Sequence, residues 1–141
     1  MAALDHNFCS VFVFKKATYL GVEEYVGGPR RLIMPPKDIS VVNDVETLEL
    51  LIQEALNSYQ NNGLKFTAQD WDEVNKEFLE YFEEKSISSY ERKVKNVTVR
   101  RDNSTQNIDL FGSKNKVVEN VNKGEVAVNV MKMLGKPIKK S

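Results

Sequence analysis

Cysteine and histidine are almost absent from this sequence of 141 residues, because it contains one of each. The single cysteine, Cys9, excludes an internal disulfide and a cysteine-based zinc site. Zinc sites need three or four nitrogen, sulfur or carboxylate ligands. The one histidine, His6, lies in a terminal segment from which a Ser-His-Asp or Cys-His arrangement would have to recruit it. We therefore expect a protein that is not an enzyme and that carries neither a metal nor a cofactor.

Long apolar runs are absent as well. No stretch approaches the roughly 20 apolar residues of a membrane span, and no basic segment precedes the apolar run CSVFVF that begins at Cys9. Cys9 itself is expected to be a small core residue, which is the usual role of a lone cysteine among apolar neighbours. The sequence thus predicts a soluble, cytoplasmic protein that does not bind membranes.

The composition is that of a folded domain, with 41% hydrophobic and 28% charged residues. The length predicts a single domain over residues 1–141. We expect loosely ordered tails at residues 1–7 and 136–141, because chain ends are seldom tied down.

Acidic and basic residues are equal in number, 20 of each, but they are segregated along the chain. The segment 38–84 contains 12 acids and only two bases, a balance of −10, whereas the segment 85–116 contains eight bases and three acids, a balance of +5. Such asymmetry indicates surface fields and charged partners rather than a particular fold.

Hydrophobic periodicity and turn residues predict an α+β fold in one domain, a mostly antiparallel sheet of about five to six strands packed by two or three helices. The predicted strands cover residues 8–17, 20–26, 30–34, 92–101, 106–111 and 116–121, and the predicted helices begin near Asn43 or Asp44 and at Thr67. Asn43 and Glu46 fit a capping box. Residues 122–135 alternate like a strand, but a possible capping box from Asn122 to Glu125 and a terminal Gly135 favour a helix.

The second helix carries an acidic stripe, defined here as Asp70, Glu73, Glu77, Glu80 and Glu84. Their spacing of three and four residues puts all five on one face, where neighbouring like charges repel by a few tenths of a kcal/mol. A solvated face would explain a charge run, but such a face usually interleaves lysine with glutamate. A basic partner would explain the stripe. The opposite face is aromatic, and Trp71, Phe78 and Phe82 are predicted to be core residues.

The basic segment 92–101 does not predict a nucleic-acid site. Strand alternation places Lys93, Lys95 and Arg101 on one side and Arg92 and Arg100 on the other, so the positive surface is split. No aromatic residue lies between them to stack on bases. We expect an edge or solvent-facing strand that its charges protect against strand addition.

GGPRRLIMPPKDIS followed by DVETLELLIQEALNSY reads as a strand, a proline break and a helix. This stretch and two later ones resemble the immunity proteins of bacterial contact-dependent growth inhibition, the CdiI family. WDEVNKEFLEYFEEKSISSYERKVKNVTVRR looks like its tryptophan-containing helix and basic strand, and NIDLF with VVENVNKGEVAVNVMKML looks like its closing strands and helix. The segments FEEKSIS and DNSTQN depart from the family pattern.

The resemblance implies a protein that binds and neutralises the toxic C-terminal domain of a cognate CdiA effector, commonly a nuclease, as a 1:1 heterodimer. Nucleases are usually basic because their substrate is a polyanion. The acidic stripe is therefore the predicted toxin-binding surface, with Glu23 and Glu24 as secondary candidates. A sheet edge or pocket near residues 92–101 is the other candidate surface. The alternative function is a structural or adaptor subunit of a larger complex, docked through the aromatic helix face.

Overall fold

Seven β-strands and four α-helices make up the part of the chain that the structure, a computed structural model, describes: residues 5–113 and 115–136. In chain order they are β1 His6–Phe14, β2 Ala17–Tyr25, β3 Arg30–Leu32, β4 Lys37–Asp38, α1 Val45–Asn57, α2 Ala68–Phe82, α3 Ile87–Lys93, β5 Lys95–Asp102, β6 Ile108–Phe111, β7 Val117–Val121 and α4 Val126–Met133.

The strands form one antiparallel sheet in the order β3-β2-β1-β5-β6-β7, with the short β4 also paired to β2. This confirms the predicted α+β class and the single sheet, although the described residues hold seven strands and four helices rather than the smaller numbers expected. β5 pairs with β1 on one side and β6 on the other. Two alternatives were predicted for the basic segment, an edge strand or a solvent-facing strand, and the edge strand is therefore wrong. β3 and β7 are the outer strands of the path.

One face of the sheet carries the larger core. Alternate residues of the central strands, such as Cys9, Val11, Val97 and Val99, are buried under α1 and α4. Full burial of Cys9 confirms that it is a core residue, and burial raises the pKa of its thiol. The helices contribute Leu48, Ile52, Ala55 and Leu56 from α1 and Val126, Ala127, Val130 and Met131 from α4.

The other face carries an aromatic core under the end of α2. Phe12 and Phe14 of β1 point to this face and pack against Phe82. Only Phe82 of α2 is fully buried, as predicted. The core prediction is wrong for Trp71, and Phe78 packs against the aromatic core without being fully buried. Both are half-buried, because α3 and β3 leave an open groove beside them.

The helix starts follow from capping side chains. Asp44, not Asn43, caps α1 by accepting a hydrogen bond from the Thr47 N–H, because the helix begins one residue later than the Asn43 capping box requires. The predicted cap of α2 is confirmed, since Thr67 and Asp70 form a reciprocal capping box.

The ambiguous segment near the C-terminus is helical, as the capping signals favoured. Its start differs from the prediction, because Glu125 makes no side-chain cap bond and the Glu49 carboxylate of α1 accepts a hydrogen bond from the Ala127 N–H instead. Gly135 ends the helix at φ +74°, and the N–H groups of Gly135 and Lys136 donate to the carbonyls of Lys132 and Met131.

Two further differences concern the chain ends and the basic segment. β1 begins at His6, which pairs with Asp102 of β5, so residues 6 and 7 belong to the sheet rather than to a tail. Residues 1–4 and 137–141 lie outside the described residues, and the tail prediction there stays a prediction.

Arg92 and Lys93 end the short helix α3, which was not predicted from the sequence.

Candidate protein-binding surface

The acidic stripe on α2 divides into carboxylates with structural roles and carboxylates without them. Asp70 belongs to the first kind, because its carboxylate accepts a hydrogen bond from the Thr67 N–H at 2.8 Å and so completes the capping box. The helix ends at Phe82, and Glu83 follows in the left-handed conformation at φ +54°. The chain therefore leaves the helical path before Glu84.

Glu84 forms the centre of an ion-pair cluster rather than the end of the stripe. Its carboxylate lies 2.9 Å from the Lys15 ammonium and 3.0 Å from the Lys93 ammonium, and it accepts a hydrogen bond from the Ser89 hydroxyl at 2.6 Å. The Ser89 hydrogen bond and then the two lysines lower the pKa of Glu84 to about 2. These groups already occupy the Glu84 carboxylate, so Glu84 does not belong to the free part of the stripe, and its role as a toxin contact stays a prediction.

Replacing Glu84 with glutamine is expected to destabilise the protein at neutral pH and not at low pH. A carboxyl group whose pKa falls from 4.5 to about 2 on folding stabilises the folded state above its unfolded pKa and loses that effect as the pH falls through its folded pKa. Urea denaturation from pH 7 to pH 2 should give the wild type a larger free energy of unfolding than Glu84→Gln at pH 7. The difference between the two proteins should shrink below about pH 4.5. Glu80→Gln is the control. A difference in the free energy of unfolding between wild type and Glu84→Gln that did not depend on pH would contradict the role of the Glu84 carboxylate in the ion-pair cluster.

Three stripe carboxylates remain free. Glu73, Glu77 and Glu80 are exposed, and none makes a hydrogen bond or ion pair through its carboxylate with the residues that the structure describes. At 100° per residue they lie on the side of α2 opposite Phe78 and Phe82. The free part of the stripe, Glu73, Glu77 and Glu80, is called the acidic face below.

Glu23 and Glu24 are buried and do not extend this face. The Arg30 Nε donates to Glu23 and the Arg31 Nε donates to Glu24, each at 2.9 Å. Glu23 also accepts from the Ser10 hydroxyl at 2.7 Å, and the two carboxylates are 7% and 3% exposed. Their secondary candidacy as toxin contacts stays a prediction, and the structure gives both carboxylates internal partners. Removing either arginine would leave a buried charge without its ion pair.

An open groove lies on the inner side of α2, facing β3 and α3. Its volume is about 210 Å³. The apolar side chains along it are Leu32, Trp71, Val74, Phe78, Ile87 and Tyr90, with Arg30, Arg31, Asn75 and Glu91 beside them. The sequence pattern found this aromatic face but could not show that the neighbouring elements leave it partly open. α2 thus presents an acidic face on one side and an aromatic groove on the other.

The basic residues beyond α2 are dispersed rather than continuous. Arg100 of β5 donates to the Asp109 carboxylate at 2.7 Å, and Arg101 donates to the Asn57 side chain at 2.7 Å. Lys93 belongs to the Glu84 cluster. Among the described residues, β5 therefore presents no continuous row of unpaired cations.

The chemical groups that would support metal binding are not clustered within residues 5–113 and 115–136. No three histidine, cysteine or acidic side chains there could hold an ion together.

His6 lies in β1, 3.6 Å from the Asp102 carboxylate, and it is half-buried rather than exposed as a tail residue would be.

The helices of the described residues are short or carry charged residues on one face. None of these helices combines the length and the apolar character that a membrane span requires.

Comparisons with known proteins give a fold but no family. No family model matches the sequence, and no curated protein matches it. Among solved structures, a Neisseria meningitidis protein of unknown function is similar over 92% of this chain and 93% of its own, with a TM-score of 0.58 and 12% identity. A chain of the CdiA-CT/CdiI toxin and immunity complex from Yersinia pseudotuberculosis is similar over 95% of this chain and 98% of its own, with a TM-score of 0.54 and 12% identity. The chain therefore shares its whole fold with these two proteins.

Proposed function

We propose that this chain is an immunity protein that binds the C-terminal nuclease toxin domain of a cognate CdiA effector and neutralises it without catalysis. The complex is a 1:1 heterodimer that forms in the cytoplasm, where a nuclease would find its targets. The observation that carries the proposal is the acidic face of α2, whose three carboxylates are exposed and have no partner among the described residues. The shared fold with a chain of a toxin and immunity complex supports it.

The charge of the acidic face suits a nuclease partner. A nuclease is basic where it holds its polyanionic substrate, and a complementary acidic surface accelerates association and disfavours other partners. Selection for stability alone would pair the glutamates with lysines on α2, because like charges one turn apart destabilise a helix. Repulsion among the unpaired glutamates slightly lowers the stability of the free protein. In the complex, attraction between these glutamates and a basic surface offsets that repulsion.

A second candidate function is that of a non-catalytic adaptor subunit in a larger complex. The open aromatic groove favours it, because Trp71, Phe78 and Tyr90 are half-buried beside the Arg30 and Arg31 side chains. Aromatic and arginine side chains of this kind often carry most of the binding energy of an interface. The two functions use opposite sides of α2, so they predict different contacts.

The proposed function requires a cognate CdiA toxin domain, which we expect to be encoded immediately upstream, and co-expression with that domain tests it. The immunity protein should restore growth to cells that express the toxin domain and should co-purify with it in equal amounts. A matched culture expressing an unrelated toxin domain should not be rescued. Failure to restore growth, or rescue without co-purification, would contradict the proposal and favour the adaptor function.

A further inference from the structure

A pocket that plays no part in the proposed toxin contact lies between the start of β5, the segment before β7 and the C-terminal end of α4. Its volume is about 370 Å³, within the range of small-molecule sites. Of the residues that the structure describes, the lysines Lys95, Lys116 and Lys132 line it and no acidic residue does. They come from three separate parts of the chain, so only the folded protein brings them together.

No carboxylate among the described residues neutralises the three pocket lysines. Lys15 and Lys93 both pair with the Glu84 carboxylate, whereas the three pocket lysines are exposed and make no ion pair with the residues that the structure describes. Like charges around one pocket repel one another, so an anion placed among them would be favoured. The charge pattern therefore indicates an anionic ligand.

The end of α4 does not account for the lysines. A helix C-terminus attracts cations, but only Lys132 lies in the last turn of α4. The carbonyls of Met131 and Lys132 already accept hydrogen bonds from the backbone N–H groups of Lys136 and Gly135. Lys95 reaches the pocket from β5, and its ammonium lies 3.9 Å from the position that a Cβ would take at Gly135.

The remaining walls fit an organic group beside the anion. Ser113 and Asn96 line the pocket and can donate hydrogen bonds to an oxyanion. Val94, Met133 and Leu134 form an apolar part of the wall, and Leu134 is only 3% exposed. An ion alone would leave this apolar surface uncovered, whereas a phosphate ester would place its organic part there.

We propose that this pocket binds a small organic phosphate. Lys95, Lys116 and Lys132 hold the phosphate group, as lysine commonly does in phosphate sites, and the organic part packs on Val94 and Met133. The inference does not depend on the proposed toxin partner, because it rests on a different surface of the molecule.

Titration of the isolated protein with adenosine 5′-monophosphate, adenosine and inorganic phosphate tests this site by NMR and calorimetry. Adenosine 5′-monophosphate should bind best, and its amide shift changes should centre on Lys95, Ser113 and Gly135. Lys95→Gln with Lys116→Gln should weaken binding about tenfold or more, because two charge-assisted contacts are lost. The melting temperature of this variant should stay close to that of the wild type.

Lys76→Gln with Lys85→Gln is the matched control, since these lysines are exposed and lie away from the pocket. It removes the same charge and should leave binding unchanged. Equal weakening by the control, shift changes spread over the whole surface, or no binding of either phosphate at about 10 mM would overturn the proposal. Binding of adenosine as tight as that of its monophosphate would overturn it too.

Discussion

Replacing Phe82 with alanine is expected to lower the free energy of unfolding by about 3–5 kcal/mol, because a large buried aromatic side chain leaves a cavity. Phe82 is 5% exposed. Its ring packs within 6 Å, centroid to centroid, of the rings of Phe12, Phe14, Tyr19, Phe78, Tyr81 and Tyr90. No other residue of α2 is buried, so this side chain is the main anchor of the helix on the sheet.

Phe78→Ala is the matched comparison for this prediction. Phe78 contacts Phe82 and Tyr90 at 4.8 and 4.6 Å between ring centroids, but it is only half-buried beside the groove. Its replacement should cost about half as much, because less apolar area leaves water when the protein folds. Urea denaturation of both variants checks the order. A larger loss for Phe78→Ala than for Phe82→Ala would contradict the packing of α2.

Reversing the charge of two residues on the acidic face, Glu77→Lys with Glu80→Lys, is expected to weaken toxin binding while leaving the protein folded. The variant loses like-charge repulsion on the helix, so its stability should be equal or slightly higher. Substitution of a glutamate at the rim of the interface would mainly change the association rate. Substitution of a glutamate buried against a toxin arginine or lysine would cost about 2–5 kcal/mol of binding free energy. Growth protection should weaken with the affinity.

A control for this prediction must change the net charge by the same amount elsewhere. Glu54→Lys with Glu119→Lys does so, because these two residues are exposed and lie on α1 and β7. The control should bind the toxin almost as well as the wild type. If the control loses binding and the α2 variant does not, the interface lies elsewhere. The outer strand β7, where Val117 is 47% exposed, would be the next surface to test.

The sequence predicted the beginning of α2 better than its end. Thr67 and Asp70 are a local capping signal that works within four residues, and the structure contains that capping box. The end depends on Glu83 taking a left-handed conformation, which residues other than glycine seldom adopt. That turn carries Glu84 to Lys15, which lies in the turn between β1 and β2, 69 residues earlier in the chain. No local pattern predicts such a contact.

The ion pairs of Glu23 and Glu24 could have been predicted from the charges on the two sides of one turn. The two acids precede the turn Gly27-Gly28-Pro29, and Arg30 and Arg31 follow it. A hairpin around this turn brings the two pairs side by side, and the structure pairs Glu24 with Arg31 across β2 and β3. Opposite charges on both sides of a tight turn therefore could have indicated internal salt bridges. Their burial depends on the packing around the hairpin.

The aromatic face of α2 shows what periodicity alone leaves undetermined. Apolar residues at helical spacing predict that a face is covered, but not which neighbour covers it. Here α3 lies beside Phe78, and β3 completes the groove. The predicted strand 92–101 covers only the last two residues of α3, and no element was predicted for the rest. The short helix was hard to find because Ser86 caps only seven residues and none of them is buried.

The association rate of the toxin domain, measured by stopped flow at low and physiological salt, tests the role of the acidic face most directly. The wild type and the Glu54→Lys, Glu119→Lys control should associate at least about tenfold faster at low salt, since salt screens electrostatic steering. The Glu77→Lys, Glu80→Lys variant should associate slowly, with little gain at low salt. Equal rates and equal salt dependence for all three proteins would contradict binding through the acidic face.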